Sequence, residues 1–136
     1  MHPSFPESTA LLERASTVTP GGVHTSIRRI DPPLSFGRAD GAYLYDVDGN
    51  QYIDYHAAFG PFVLGHCYQP VNAAVTEAIG NADLYGVGAT DYEIELCQRI
   101  VQHVPSAEKV LLCNAGSEAT YHAIRLARAA TGRKLL

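Results

Sequence analysis

Residues 108–133 read EKVLLCNAGSEATYHAIRLARAATGR, and the fold turns on how that run divides. Lys109 to Cys113 is a short apolar stretch, the pattern of a buried strand, with Cys113 as a core filler at its end. Ser117 to Thr131 keeps a helical period, and Gly132 is placed to close that helix. Asn114-Ala115-Gly116-Ser117 joins the two with small residues. Strand, small turn and helix is the layout of an anion site, because the first helical N–H groups lack intrahelical partners and the helix dipole favours negative charge there. Gly116 would let a ligand approach the backbone, and Ser117 would add a hydroxyl. Glu118 matches the dipole but would repel a phosphate, so it is expected to point away. Neither G-x-G-x-x-G nor a four-residue spacer before G-K-[ST] is present. On the residues alone, a Ser-capped helix without a ligand stays open beside the phosphate reading.

Upstream, two more helical patterns occur. PVNAAVTEAIGNA places Val71, Ala74, Val75, Ala78 and Ile79 on one face, with Pro70 in the first turn. DYEIELCQRIVQHV does the same through Ile94, Leu96, Cys97, Ile100, Val101 and Val104, and Pro105 stops it. The Gly-rich LYGVGAT between them reads as a loop. Before residue 70 the pattern differs. Asp48-Gly49 lies between AYLYDV and NQYIDY, which predicts a hairpin with a two-residue type I′ turn. Asp40-Gly41 adds a second turn, so an antiparallel meander is expected over residues 34–55. Asp46, Asp48 and Asp54 read as turn and hairpin residues, not as an acid–base pair. Residues 6–18 read as a short helix capped by Ser8 or Thr9. The irregular TPGGVHTSIRRIDPP that follows carries Arg28 and Arg29, which as surface charges need no ligand.

The bulk properties narrow the class. The chain has 136 residues, 46% apolar and 18% charged, with a formal net charge of -4, as expected of a folded globular protein. No basic stripe points to nucleic acid. No apolar run approaches the roughly 20 residues that span a bilayer, so no membrane is expected. MHPSFPES has neither the charged nor the apolar region of a signal peptide. Cys67, Cys97 and Cys113 lack C-x-x-C spacing and suit a reducing cytoplasm. His24, His56, His66, His103 and His122 show no metal-ligand spacing, so no metal is expected.

Three stretches, GAYLYDVDGNQYIDY, GPFVLGH and EKVLLCNAGSEATYHAIRLARAATGR, in this order, resemble the N-terminal part of the class III, fold type I, pyridoxal-phosphate aminotransferases. Within that family PGGVHTSIRR resembles the opening of the glutamate-1-semialdehyde 2,1-aminomutases. The resemblance implies an α/β fold: an N-terminal helix and small antiparallel meander (residues 1–70, part of a small domain), then the start of a large α/β cofactor domain (71–136). It implies that Ala115, Gly116 and Ser117 bind the phosphate of pyridoxal 5′-phosphate, where the family often has Ser-Gly-Thr. It implies that Arg28 grips a substrate carboxylate beside Thr25, and that Phe59 forms an aromatic wall where the aminomutases usually have Trp. A guanidinium fork suits a carboxylate through two parallel hydrogen bonds. His66 would stand near the wall in a structural role. The implied substrate is a small amino acid or semialdehyde, and the implied assembly a homodimer approached through LYGVGAT.

The family also needs a Schiff-base lysine and an acidic partner for the pyridine nitrogen. Lys109 and Lys134 are the only lysines, and neither matches the family's catalytic position, so no catalytic residue is assigned. The chain is therefore expected to be the front portion of a longer enzyme, inactive alone. The rival reading is a non-catalytic truncated chain that acts, if at all, by pairing with other subunits.

Overall fold

In the computed structural model, which describes residues 4–82 and 84–135, helix α1 spans Pro6–Ser16 with Pro6 in its first turn. Its cap is not local. The N-cap residue is Phe5, which offers no side-chain acceptor. Instead the Asp48 carboxylate takes the N–H of Glu7 at 2.8 Å, the N–H of Ser8 at 3.0 Å, and the Ser8 hydroxyl. Ser8 is thus a buried donor, not the expected cap, and its Oγ also accepts the Ser35 N–H at 3.1 Å. Thr9 turns its hydroxyl back onto the Phe5 carbonyl at 2.7 Å. An acceptor supplied from the hairpin displaced the cap that local sequence favours.

The meander forms as β1 (Phe36–Asp40), β2 (Tyr43–Asp46) and β3 (Gln51–Ile53), antiparallel in that order. Asp40 pairs with Tyr43 across Gly41-Ala42, and Tyr45 pairs with Gln51. The second turn is not the expected two-residue type I′. Gly49 donates to the Asp46 carbonyl at 3.2 Å, and Asp46 donates to the Asn50 carbonyl at 3.0 Å. Gly49 alone in this turn has positive φ, 88°. This is the three-residue turn with a left-handed glycine. It frees the Asp48 carboxylate to cap α1. Asp46 is buried and accepts the Asn50 N–H, the Asn50 amide and the Tyr52 hydroxyl at 2.7–2.8 Å.

Three further helices follow: α2 (Gln69–Asn81), α3 (Asp91–His103) and α4 (Gly116–Thr131). Pro70 sits in the first turn of α2. Thr90 and Glu93 make a reciprocal capping box on α3, at 3.3 Å and 2.8 Å. Gly132 closes α4 in the left-handed conformation, φ 68°. The chain divides into two compact units, residues 1–83 and 84–136, so α2 lies with the meander.

One expected element is missing. Residues 110–113 run without strand pairing, Leu111 and Leu112 are 72% and 42% exposed, and Cys113 is exposed. A strand exists only where a neighbour supplies the other half of its ladder. Among the described residues the only sheet is the meander, so the buried-strand and core-filler readings of KVLLC do not hold here. No apolar side chain is buried among the described residues. The apolar faces of α2 and α3, with Val71, Val75, Ile79, Ile94 and Leu96, are exposed.

Candidate functional site

Helix α4 starts without a side-chain cap. Ala115 is the N-cap in an extended conformation, φ -150° and ψ 154°. The first intrahelical bond runs from Ala119 N–H to the Ala115 carbonyl at 3.1 Å. The N–H groups of Gly116, Ser117 and Glu118 therefore have no partner within the helix. Glu118 folds back onto the turn, where its Oε2 accepts the Asn114 N–H at 2.8 Å. The Ser117 hydroxyl makes no hydrogen bond among the described residues, and Ala115, Gly116 and Ser117 are all exposed.

Gly116 has ordinary helical backbone, and a Cβ added there would meet nothing within 4 Å. Among the described residues nothing demands glycine at this position. A glycine there would leave the backbone open to close approach by an external group. Three convergent donors, a hydroxyl and the positive helix end suit a phosphate dianion. The residues present therefore fit the cofactor phosphate that the resemblance implies.

Thr25 and Arg28 share one turn. Thr25 precedes the 3-10 turn Ser26–Arg28, and its carbonyl accepts the Arg28 N–H at 3.0 Å. Arg28 lines a cleft of about 390 Å³ with Arg29, Leu12, Ile30 and Pro33. The loop before it presses on α1: a Cβ on Gly22 would lie 2.5 Å from Leu12 Cδ1 and 2.8 Å from Ser16 Oγ. The backbone at Gly22, φ 74°, favours glycine, and an added Cβ would also have to displace the Leu12 and Ser16 side chains.

Phe59 sits on the turn Ala57–Phe59, is 67% exposed as a residue, and sets its ring edge-on to His56 at 4.1 Å. Ala57, Ala58 and Phe59 have φ of 46°, 51° and 67°. Such backbone costs about 1–2 kcal/mol for each residue that carries a Cβ. Asp54 and His66, which the sequence marked only as structural, form a close pair at the base of this turn, 2.7 Å between Oδ2 and Nε2. Among the described residues no hydrogen bond or ring contact joins Phe59 to Thr25 or Arg28, and no group of three His, Cys, Asp or Glu side chains converges as metal ligands. No described helix is long and apolar enough to cross a membrane.

The family model described as aminotransferase class-III matches residues 26–135. The chain is 47% identical over 133 residues to the glutamate-1-semialdehyde 2,1-aminomutase of Rhodopirellula baltica, covering 95% of this chain and 30% of that protein. It is 50% identical over 131 residues to the enzyme of the same name from Methanopyrus kandleri, covering 96% of this chain and 30% of that one. A solved transaminase with pyridoxal phosphate bound superimposes with a TM-score of 0.91 at 29% identity, over 97% of this chain and 31% of its own. The chain thus spans about 30% of the length of the curated relatives it matches.

Proposed function

The chain belongs to the class-III aminotransferase family, and from that premise we propose that it forms the N-terminal part of a pyridoxal-phosphate enzyme that moves an amino group on a carboxylate-bearing amino acid or semialdehyde. The observation that carries this is the turn into α4, where Gly116 is unnecessary to the fold and the helix start is uncapped. Pyridoxal 5′-phosphate, when bound, supplies the electron sink for amino-group chemistry. The chain's own residues bind and orient. Gly116, Ser117 and Glu118 offer backbone N–H groups to the phosphate, and the Ser117 hydroxyl adds one donor. Ala115 leaves room without a hydroxyl. Arg28 holds the substrate carboxylate with a planar fork, Thr25 stands beside it on the same turn, and Phe59 walls the substrate without the indole N–H of a Trp.

The identity of 47% and 50% with two aminomutases supports an aminomutase over an ordinary transaminase. A test is conversion of glutamate 1-semialdehyde by the full-length enzyme with and without an added 2-oxo acid. An aminomutase turns over without the acceptor; strict dependence on it would make the enzyme a transaminase. We further propose a cytoplasmic homodimer, with residues 84–90 facing the partner and residues 1–70 within the small domain. The second reading, a non-catalytic chain that pairs with other subunits, is favoured by the exposed apolar faces of α2 and α3.

A further inference from the structure

Four consecutive residues, Ala57 to Gly60, have positive φ, and three of them carry a Cβ. Such a run persists only where its surroundings over-determine it. Here those surroundings are specific. Asp54 lies just past β3, and its Oδ1 accepts the N–H groups of His56 and Ala57 at 2.9 Å and 3.0 Å. Its Oδ2 meets His66 Nε2 at 2.7 Å, with the His66 and Asp54 side chains only 13% and 5% exposed. His66 is anchored in turn. Its backbone exchanges two hydrogen bonds with Gly41, at 3.0 Å and 2.8 Å, and its ring stacks on Phe62 at 4.6 Å and 29°. The His66 contact, then the Ala57 and His56 N–H groups, hold the Asp54 carboxyl below its usual value against a smaller desolvation effect. The one aromatic side chain on the left-handed run is Phe59.

We propose that Asp54 and His66 are positioning residues that clamp the turn 57–60 and so fix the Phe59 ring against the substrate. Asp54 touches no substrate in this account; it acts through the His56 and Ala57 N–H groups. The proposal rests on the reading of Phe59 as the substrate wall.

The test uses the full-length enzyme loaded with pyridoxal phosphate, comparing wild type with Asp54→Ala, Asp54→Asn and His66→Gln. Hydrogen exchange of a peptide covering residues 54–62 reports the clamp, and exchange of α4 reports global folding. In Asp54→Ala the 54–62 peptide is expected to exchange at least tenfold faster with α4 unchanged. The KM for the carboxylate substrate should rise at least tenfold while kcat stays within threefold. Asp54→Asn keeps an acceptor oxygen for the two N–H groups and should restore part of both effects. If Asp54→Ala fails to fold, Asp54→Asn and His66→Gln decide on the same readouts. Unchanged exchange at 54–62, or a fall in kcat with KM unmoved, would overturn the proposal. A wild-type enzyme without turnover sinks the substrate reading alone. Faster exchange then still upholds the clamp, and unchanged exchange still refutes it.

Discussion

A Cβ on Gly116 would meet only open space, whereas one on Gly22 would collide with Leu12 and Ser16. The two glycines therefore differ in what a side chain would meet. Gly116→Val in the full-length enzyme is expected to leave the fold intact and raise the Kd for pyridoxal phosphate more than tenfold, because the close backbone approach is lost. Ser117→Ala should weaken the cofactor by only about 1–2 kcal/mol, since the backbone donors survive. Cofactor titrations beside thermal melts check both. A Gly116→Val enzyme that folds and binds normally would reduce the turn to a helix start. Arg28→Ala should weaken the carboxylate substrate by about 2–4 kcal/mol with cofactor affinity unchanged. Substrate KM and cofactor titration on one sample separate the two, and unchanged KM would pass the role to Arg29. The start of α4 at Gly116 was legible in the sequence because small residues at a helix start obey a local rule. Asp54 and His66 were not legible as a clamp. Their partnership spans twelve positions, and Ala57-Ala58-Phe59 are residue types that do not advertise left-handed backbone.

Helix α1 shows how an element can take its cap from far along the chain. Desolvation raises the Asp48 carboxyl, but the hydrogen bonds from Ser8 and Glu7 outweigh it and hold the group below its ordinary 3.8. The folded value then lies below the unfolded one. The stabilisation is present above the ordinary carboxylate range and is lost as pH falls through the folded value. Asp46 and Asp54 shift in the same direction, Asp46 because Asn50 and Tyr52 overcome its desolvation. Acid should therefore loosen α1 and the meander together. Protection of residues 6–16 against hydrogen exchange, taken relative to the intrinsic rate at each pH, should fall in the full-length enzyme below about pH 4, and Asp48→Ala should show that lower protection already at neutral pH. Slow exchange in Asp48→Ala at neutral pH would remove Asp48 as the cap. The raised value of Tyr52, about 12, comes from desolvation first and then from its bond to Asp46. The elements themselves were largely readable: Pro70, Asp48-Gly49 and Gly132 mark boundaries by local backbone chemistry. The cap of α1 was not, because a side chain forty residues away supplies it.

At the scale of the molecule the strand expected at residues 109–113 did not form. Alternation and apolarity can propose a strand, but only a neighbouring strand can complete one. The same shortage reaches every apolar face. A folded domain of this length would ordinarily bury about two-thirds of the surface its unfolded chain exposes, yet among the described residues no apolar side chain is buried. Amphipathic helices of the length of α2, α3 and α4 are marginal in water by themselves. Lys109 follows a turn and Lys134 follows α4, and both are exposed. The 136-residue chain alone should therefore bind an apolar dye strongly and melt without a sharp transition. Incubated with pyridoxal phosphate and reduced with borohydride, it should carry no stoichiometric adduct at either lysine. Mass spectrometry of the reduced chain decides the point. A single full-occupancy adduct at Lys109 or Lys134, accompanied by amino-group turnover, would show that these residues build a complete site by themselves.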